Sequence, residues 1–517
     1  MKYTVSIHTK HDANMTISAD YRIIEYIEFE KFVGERYFSF SKNENFEAEF
    51  QTYIFPFLKD LINDIVKINF CWLSDFQKEM FLKTFPNSEV EEKKHHISHA
   101  YSLYAFTYTH QNDLIISIDG GGDEEDCFRL FRWENHRLNL LKEVKLNLGT
   151  PYRVLGLLSD EIKSTPTFEY ETNLHLPGKI MGLAPMGIIE PNYIEAIRRF
   201  YVVFRKEKTT IYEKLKSLLD SLNISCDNYL KIENQIARNI LQTSQKVFED
   251  LFFENAIEIF NERYKRILLV GGCSLNIKLN TEIFRRTKKE VFVSPVSGDC
   301  GISIGASLSD IELNKFKPFN NAFIGLKCSG DVLHYIDKNK PKRITTRELA
   351  EELGQGKIIA TIVNRIEAGA RSLGNRSLLA SPLQKGIKDK LNEIKEREFF
   401  RPVAPIVTQE MQDIYFEIVP ASRYMSFSPK INPEYKTLLP EIVHYDGTCR
   451  IQTVIKDDGF IYELLKEFGK ISGTEILINT SFNVKGKPIL NNLKDAFELL
   501  ETTAIDGLYI DGLFFEK

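Results

Sequence analysis

The 517-residue chain has few cysteines, few tryptophans and no long apolar run. Its seven cysteines are scattered and never spaced as Cys-x-x-Cys, which argues against a disulfide framework and a thiolate zinc site. No run approaches the roughly 18 apolar residues of a membrane helix, and the first residues form no apolar signal core. The net charge of −5 gives no basic field that would attract nucleic acid or anionic lipid. We expect a soluble, cytoplasmic protein with no nucleic-acid or membrane partner.

The sequence has enough apolar material for more than one domain. Hydrophobic residues make up 43% of the chain and aromatic residues 12%, and a single core rarely serves more than about 250–300 residues. Segments at 3–8, 14–18 and 22–29 predict a β-meander at the start of the fold. A Lys-Phe-Lys-Pro-Phe-Asn-Asn run that ends at residue 321 has the character of a linker. We therefore predict two domains, 1–320 and 321–517.

Two later strands each run directly into glycines. A buried strand at 114–119 ends in Asp119 and continues into three glycines, and a strand at 267–270 continues into two glycines. A return strand at 126–133 and mostly helical periodicity over 190–263 complete the pattern. A further acid, Asp299, stands on a glycine-flanked turn after a later strand. Strand–loop–helix units with acids after two strands, twice over, predict an α/β fold with a duplicated ribonuclease-H-like core. We expect a ligand cleft between its halves.

One short segment holds three of the chain's ten histidines, His95, His96 and His99. If it is helical, His95 and His99 stand one turn apart on one face and can bind one divalent metal ion together. A carboxylate from elsewhere in the chain would complete the ligand set and leave positions open for a substrate. The alternative is a helix start with solvated histidines, because His-x-x-x-His alone carries few constraints.

One glycine-rich segment is a candidate for a nucleotide site, because Gly271, Gly272 and Asn276 follow a buried strand. A second glycine-punctuated segment carries Lys179 and Gly182. A strand that runs into two glycines and a helix start presents backbone amides and a helix dipole to an anion. Two glycines alone would be weak evidence for this function.

The C-terminal part holds the notable cations Arg371, Lys395, Arg401 and Arg450, in loops with glycine, proline or aromatic residues. Arginine clamps phosphate or carboxylate through two donors, and lysine supplies a point charge. A pocket that collects these four side chains would suit a small, doubly charged phosphate. The alternative is surface ion pairing, above all for Lys395 and Arg397, which stand among three glutamates.

A series of motifs in chain order is more specific than any one of them. The series reads His-His-x-x-His-Ala, strand-Asp-Gly, Gly-Lys-x-Met-Gly-Leu-Ala, Gly-Gly-x-x-x-Asn, Gly-Asp-x-Gly, Glu-x-Gly-x-Arg-x-Leu-Gly-Asn-Arg-Ser, Lys-x-Arg-x-x-x-Arg-Pro, His-x-Asp-Gly-Thr-x-Arg-x-Gln-Thr and Asn-Thr-Ser-Phe-Asn. It resembles the O-carbamoyltransferases of nodulation-factor and antibiotic tailoring (NodU/TobZ type) over nearly the whole chain. The resemblance implies an actin/sugar-kinase-like first domain, shared with threonylcarbamoyl-tRNA transferases and the hydrogenase-maturation carbamoyltransferase. It also implies a second domain like the YrdC-type adenylate-forming module.

The resemblance implies an enzyme with two steps on one chain. The C-terminal domain would make carbamoyl adenylate from carbamoyl phosphate and Mg²⁺-ATP, and the N-terminal domain would transfer the carbamoyl group to a hydroxyl of a natural product or sugar. The implied iron-type metal ligands are His95, His99, Asp119 and Asp299, of which Asp299 also counts as catalytic. The residues implied to bind nucleotide and carbamoyl phosphate are Lys179, Gly182, Gly271, Gly272, Asn276, Arg371, Lys395, Arg401, Arg450 and Asn479.

The residues leave the general base, the metal and the acceptor undecided. Either His11 or His96 would serve as base for the acceptor hydroxyl, and iron, manganese or zinc suits a His/Asp ligand set. Ala370, Ser372 and the acidic stretch 123–126 depart from the family pattern, which leaves nucleotide-loop detail and the acceptor open. Two other functions fit the same cleft, an actin/sugar-kinase-like phosphotransferase and a non-catalytic nucleotide-binding regulatory protein.

Overall fold

A computed structural model describes residues 1–122, 128–163, 173–206 and 208–517. The acidic stretch 123–126 lies outside the described residues, as do the first two residues of the strand predicted at 126–133. Helices cover three separate β-sheets. In the described part of the chain no helix is both long and apolar enough to cross a bilayer.

The first sheet begins with the predicted meander, because alternating apolar and polar residues at the N-terminus favour strands, and the second of these strands is buried on both faces. Its strands are β1 (Tyr3–His8), β2 (Asn14–Ala19), β3 (Arg22–Glu28), β4 (Ile65–Cys71) and β5 (Glu89–Glu92). The helices of this part are α1 (Phe29–Val33), α2 (Asn45–Glu49), α3 (Phe55–Leu58), α4 (Asp75–Thr84) and α5 (His95–Ser102). The strand order is β3-β2-β1-β4-β5.

The second sheet follows at residue 114. Its strands are β6 (Leu114–Ile118), β7 (Phe128–Glu134), β8 (Arg137–Val144), β9 (Arg266–Val270) and β10 (Glu290–Val293). The helices of this part of the chain are α6 (Gly149–Leu155), α7 (Leu176–Leu183), α8 (Ile194–Val203), α9 (Ile211–Ser221), α10 (Asn234–Asn255), α11 (Ile277–Thr287) and α12 (Ile302–Leu308). Of these, α12 packs on β1, β2 and β4 of the first sheet. The strand order is β8-β7-β6-β9-β10.

The two sheets have the same topology. In each, three antiparallel strands form a meander, and the fourth and fifth strands run parallel to the first. This is the ribonuclease-H-like arrangement, present twice. The predicted duplicated α/β core is therefore confirmed. The two sheets repeat the same strand topology, although no exact internal repeat is visible in the sequence.

The third sheet belongs to the C-terminal part, which is also α/β as predicted. Its strands are β11 (Lys342–Arg343), β12 (Ile359–Ile362), β13 (Arg376–Ala380), β14 (Ala404–Thr408), β15 (Gln452–Val454), β16 (Ile476–Ser481), β17 (Gly507–Ile510) and β18 (Leu513–Glu516). They form a mixed sheet in the order β11-β18-β17-β12-β13-β16-β14-β15. The helices are α13 (Val332–Asn339), α14 (Thr346–Gly354), α15 (Ile387–Ile394), α16 (Gln409–Tyr415), α17 (Phe460–Ser472) and α18 (Leu493–Thr502).

The close packing of α12 on α5 joins the two duplicated halves. Every residue of α12 is buried, and a side chain at Gly305 would overlap the carbonyl oxygen of Ser98 in α5. On its other side, α12 meets β2 through Thr16 Oγ1 and Ser303 Oγ, 2.8 Å apart. A helix of small residues therefore brings the segment before α12 next to the histidines of α5.

We expect Gly305→Ala to destabilise the fold by about 1–3 kcal/mol, because the added methyl group has only backbone to displace. Gly178→Ala is the matched control, since Gly178 lies in α7 with open space at its Cβ position. The control should be neutral or more stable by up to about 1 kcal/mol, as is usual for alanine in a helix. Thermal unfolding of both variants measures the difference, and equal shifts would contradict the packing argument.

Candidate active site

Helix α5 places two predicted metal ligands side by side in the interior. His95 is 2% exposed and His99 is fully buried, so the solvated-helix alternative does not hold. Their Nε2 atoms are 3.1 Å apart. Trp72 stacks on the His95 ring at 4.7 Å between centroids. The pair is thus held in one orientation by packing.

Asp119 and Asp299 complete the cluster from two loops. Asp119 follows β6, and its Oδ1 accepts the Gly120 amide at 2.6 Å while its Oδ2 accepts the Gly272 amide at 2.6 Å. Asp299 precedes α12, where Asn14 fixes it by donating to its carbonyl oxygen at 2.9 Å. The His99 Nε2 atom lies 3.4 Å from Asp119 Oδ2 and 3.4 Å from Asp299 Oδ1.

The four side chains fit a divalent metal ion. One ligand atom from each of His95, His99, Asp119 and Asp299 lies within 4.8 Å of the other three. Metal–ligand bonds of about 2.0–2.2 Å place neighbouring ligand atoms roughly 3–3.5 Å apart, close to the observed spacings. Two Nε2 atoms that face each other at 3.1 Å need a proton or a cation between them, because two N–H groups would repel. Two imidazoles and two carboxylates suit iron, manganese or zinc.

The charges of the cluster depend on one another. Burial would lower the pKa of His99, but hydrogen bonds to Asp119 and Asp299 outweigh it and raise that pKa to about 9. For His95 burial prevails and lowers the pKa to about 3. Burial opposes ionisation of Asp119, yet the bond from His99 brings its pKa down to about 2. The cluster therefore favours ionised carboxylates, the form that binds a cation.

The structure separates the two candidate bases. The His11 side chain is 40% exposed and lines a cavity between the two ribonuclease-H-like sheets and the C-terminal part. Its Nδ1 atom lies 3.1 Å from Asp12 Oδ2, and its Nε2 atom lies 3.6 Å from Asp299 Oδ2. His96 is fully buried, its Nδ1 lies 2.8 Å from Ser117 Oγ on β6, and it is not among the cavity-lining residues of the described chain. The geometry favours His11. Burial opposes its protonation, but Asp299 and Asp12 raise its pKa to about 9, and a cation bound at Asp299 would offset that rise.

The glycine segments lie beside the cluster, though not every predicted residue faces the cavity. Lys179, Gly272 and Asn276 line it. Gly182 packs against Phe400 of the C-terminal part. Gly271 adopts φ +85°, where a side chain would overlap the Ile118 carbonyl. Gly182 and Gly271 thus pack behind the cavity wall, and neither is among the described residues that line the cavity.

Three arginines of the predicted phosphate site gather on one side of the cavity. Arg371, Arg401 and Arg450 all line it, together with Arg397. Burial, then the neighbouring arginines, lowers the pKa of Arg371 to about 10 and holds that of Arg450 well below its usual range. Arg450 Nε is buried and has no hydrogen-bond partner among the described residues. Clustered cations with spare donors form an anion site.

Lys395 and Asn479 lie beside this anion site and make hydrogen bonds to other groups of the protein. The Lys395 ammonium donates to the Ser481 carbonyl, to Asn483 O at 2.9 Å and to Asn483 Oδ1 at 2.6 Å. It thus holds the loop after β16, and surface ion pairing does not describe it. Asn479 donates to Gln452 Oε1 at 2.6 Å, while its own Oδ1 is buried without a partner in the described chain. Both residues line the cavity.

Sequence reasoning missed several residues of the site. His8, at the end of β1, is fully buried with Nε2 3.6 Å from Asp299 Oδ2. Trp72 directly follows β4 and covers His95. Both stand at or next to strand ends, which was the signal that identified Asp119. Glu398 pairs with Lys179 at 2.8 Å. This ion pair joins segments far apart in the chain, so no local sequence pattern predicts it.

One cavity of about 1400 Å³ is lined by three of the four candidate metal ligands, His95, Asp119 and Asp299, and by residues of the glycine loops and the cation cluster. The duplicated ribonuclease-H-like sheets form one wall, and the C-terminal α/β part forms the other. A buried His/Asp cluster that shares a cavity with clustered cations, in an α/β fold, is the kind of arrangement found in enzyme active sites.

The chain belongs to the carbamoyltransferase family. The carbamoyltransferase N-terminus matches residues 18–308, and the carbamoyltransferase C-terminus matches residues 350–517. The resemblance to this family is therefore confirmed, and the protein is a carbamoyltransferase.

Curated relatives cover most of the chain. An uncharacterised protein of Methanocaldococcus jannaschii is 30% identical over 473 residues, 84% of this chain and 75% of the relative. Nodulation protein NolNO of Sinorhizobium fredii is 29% identical over 83% of this chain and 64% of the relative. Nodulation protein U of Rhizobium tropici is 28% identical over 75% of this chain and 69% of the relative. This chain thus spans roughly two thirds to three quarters of their lengths.

Among solved structures, HypF of T. kodakarensis aligns with a TM-score of 0.37 and 14% identity, over 61% of this chain and 48% of that one. A likeness of this size carries no argument about function.

Proposed function

We propose that the protein is an ATP-dependent O-carbamoyltransferase that acts on a hydroxyl of a small molecule, a natural product or a sugar. Carbamoyl phosphate and Mg²⁺-ATP are its co-substrates, and carbamoyl adenylate is its intermediate. We assign activation to residues 321–517 and transfer to residues 1–320. The observation that carries the proposal is the single cavity that joins the arginine cluster to the His/Asp cluster.

Activation needs a site for several phosphate groups at once. Carbamoyl phosphate, ATP and water would give carbamoyl adenylate, pyrophosphate and inorganic phosphate. The phosphoryl group leaves carbamoyl phosphate to water, and the freed carbamate oxygen bonds to the α-phosphorus of ATP as the bond to pyrophosphate breaks. Arg371, Arg401 and Arg450 supply donors that stabilise charge on the phosphoryl oxygens. Asn479 Oδ1, a buried acceptor without a partner in the described chain, suits the carbamoyl NH₂ group.

Transfer needs a base beside the carbamoyl carbon. His11 can take the proton of the acceptor hydroxyl at Nε2 if Asp12 accepts the hydrogen bond from Nδ1. The hydroxyl oxygen then bonds to the carbamoyl carbon, and AMP leaves. A divalent ion held by His95, His99, Asp119 and Asp299 would supply Lewis-acid polarisation of a carbonyl or phosphoryl oxygen. We propose iron as this ion, with manganese or zinc as alternatives.

Transfer within a single cavity would also protect the intermediate. A carbamoyl adenylate is a mixed anhydride and reacts with water, so a short path between the two sites would preserve it for the acceptor. Contacts between the two parts close the cavity wall: Lys179 pairs with Glu398 at 2.8 Å, and the Gly182 carbonyl oxygen lies 2.8 Å from His444 Nε2. The intermediate would travel inside the protein.

Pyrophosphate release from ATP tests this proposal. We expect release that depends on carbamoyl phosphate, with AMP as the nucleotide product once an acceptor is added, and a carbamoyl mass increment on that acceptor. A phosphotransferase would instead form ADP, and a regulatory nucleotide-binding protein would turn over nothing. Absence of carbamoyl-phosphate-dependent pyrophosphate in the presence of reduced iron would refute the proposal.

A further inference from the structure

We infer that the buried ion pair of Glu28 and Lys31 is a positioning element that sets Arg371 in the anion pocket. Both residues belong to the first sheet and its following helix, whereas Arg371 belongs to the C-terminal part. The inference rests on the proposed function, because it assigns Arg371 to a phosphate-bearing substrate.

Lys31 binds the backbone of the distant segment directly. Its side chain is 3% exposed, and its ammonium donates to Glu28 Oε1 at 2.9 Å, to the Glu367 carbonyl at 2.7 Å and to the Gly369 carbonyl at 2.7 Å. These three bonds use every N–H that a lysine ammonium has. Lys31 therefore has no donor left for a substrate.

The Glu28 carboxylate binds a backbone amide of the same segment. Its Oε1 accepts the Gly369 amide at 2.7 Å, so the amide and the carbonyl of Gly369 are both bound by one ion pair. Gly369 has φ +90°, and a side chain there would overlap the Pro295 carbonyl in the loop that leads to Asp299. The segment is thus pressed between the ion pair and the loop of a candidate metal ligand.

Arg371 lies between two fixed points. On one side Gly369 is held by Glu28 and Lys31, and on the other the fully buried Glu367 carboxylate accepts the Leu373 amide at 2.7 Å. Arg371 itself lines the cavity. The region that its guanidinium can reach depends on where its backbone lies, and the ion pair binds the neighbouring Gly369 backbone to the N-terminal half.

General stabilisation is a weaker explanation for the pair. Removing two charges from water costs much of what their attraction gains, and apolar side chains of equal size often stabilise a core as well. An apolar pair could not bind one amide and two carbonyls at defined points. The bonds are useful for placing this backbone.

The test compares a neutral pair with a buried lysine elsewhere. The double variant Glu28→Gln/Lys31→Met removes both charges and leaves no lone buried ion. The matched control is Lys289→Met, because Lys289 is 9% exposed and donates to two backbone carbonyls, of Ile259 and Asn261, each at 2.6 Å. Arg371→Ala serves as reference. For each protein, kcat and the KM values for ATP and carbamoyl phosphate are measured by pyrophosphate release.

We expect the double variant to raise, by about tenfold or more, the same KM that Arg371→Ala raises, while Lys289→Met leaves it unchanged. Combined with Arg371→Ala, the double variant should add nothing further, because both act on one contact. An unchanged KM, or effects that multiply in the combined variant, would overturn the inference.

If the double variant fails to fold, Gly369→Ala displaces the same backbone, and its KM is compared with that of Arg371→Ala in the same way. A parent protein without pyrophosphate release would refute the proposed function instead.

Discussion

Replacing Asp299 with asparagine is expected to remove the bound metal and to lower carbamoyl transfer by about 10³-fold or more. Asp299 stands 3.4–3.7 Å from four imidazoles, those of His8, His11, His95 and His99. An amide keeps the shape of the side chain and loses the charge that attracts a cation. Metal-ion stabilisation of a transition state contributes several kcal/mol, and each 1.36 kcal/mol is about tenfold in rate.

Metal content and transfer are to be measured on the same preparations of this variant. Asp113→Asn is the matched control, since Asp113 is 1% exposed and lies 3.4 Å from Arg266 in an ion pair away from the cavity. The control should bind as much metal as the parent, even if it is less stable. Equal metal content in Asp299→Asn and parent would exclude Asp299 as a ligand.

Arg450→Gln is expected to lower pyrophosphate release by about 10²–10³-fold, the usual loss when one preorganised donor to a developing charge is removed. The same change should leave the ligand-free protein equally stable or more stable. The reason is repulsion, because burial and then Arg371, Arg397 and Arg401 hold the Arg450 pKa well below its usual range. Loss of activity together with unchanged or higher stability is the signature of a residue kept for its ligand.

Pyrophosphate release and the thermal midpoint with and without ligands check the Arg450 prediction. ATP and carbamoyl phosphate should raise the thermal midpoint of the parent, as any ligand that binds only the folded state does, and should raise that of Arg450→Gln less. Arg285→Gln is the control, because Arg285 pairs with Glu417 at 2.7 Å on the exposed surface. If Arg450→Gln behaved like this control, the anion pocket would have to be placed elsewhere.

The sequence predicted most local elements closely. Strands expected at 3–8, 14–18 and 22–29 lie at Tyr3–His8, Asn14–Ala19 and Arg22–Glu28, because the alternation of apolar and polar residues that favours a strand is a local property. Helical periodicity around residues 44–62 predicts a helix there, but the structure interrupts it. A π-helical turn, Phe50–Ile54, stands between two short helices. The aromatic side chains of this stretch pack on one another, and helical periodicity does not show where such packing breaks a helix.

The sequence indicated the residues of the candidate site better than their arrangement. The acids and histidines were predicted because they stand at strand ends or one helical turn apart, and the structure brings His95, His99, Asp119 and Asp299 together. His8 was missed, and His96 could not be separated from His11. Burial decides both points: His8 faces Asp299 from inside the sheet, and His96 faces Ser117 on β6. Which face of an element meets which neighbour depends on the packing of distant segments.

By itself the sequence determined the kinds of residue available for chemistry, their order along the chain and the periods of the strands and helices. These follow from local stereochemistry and from side-chain chemistry. Only the tertiary structure decided that α12 packs on α5 closely enough to bring Asp299 to His95 and His99. Only the tertiary structure showed Lys31 binding the backbone beside Arg371. Such contacts join residues far apart in the chain, and they form when buried faces pack together, which no local pattern encodes.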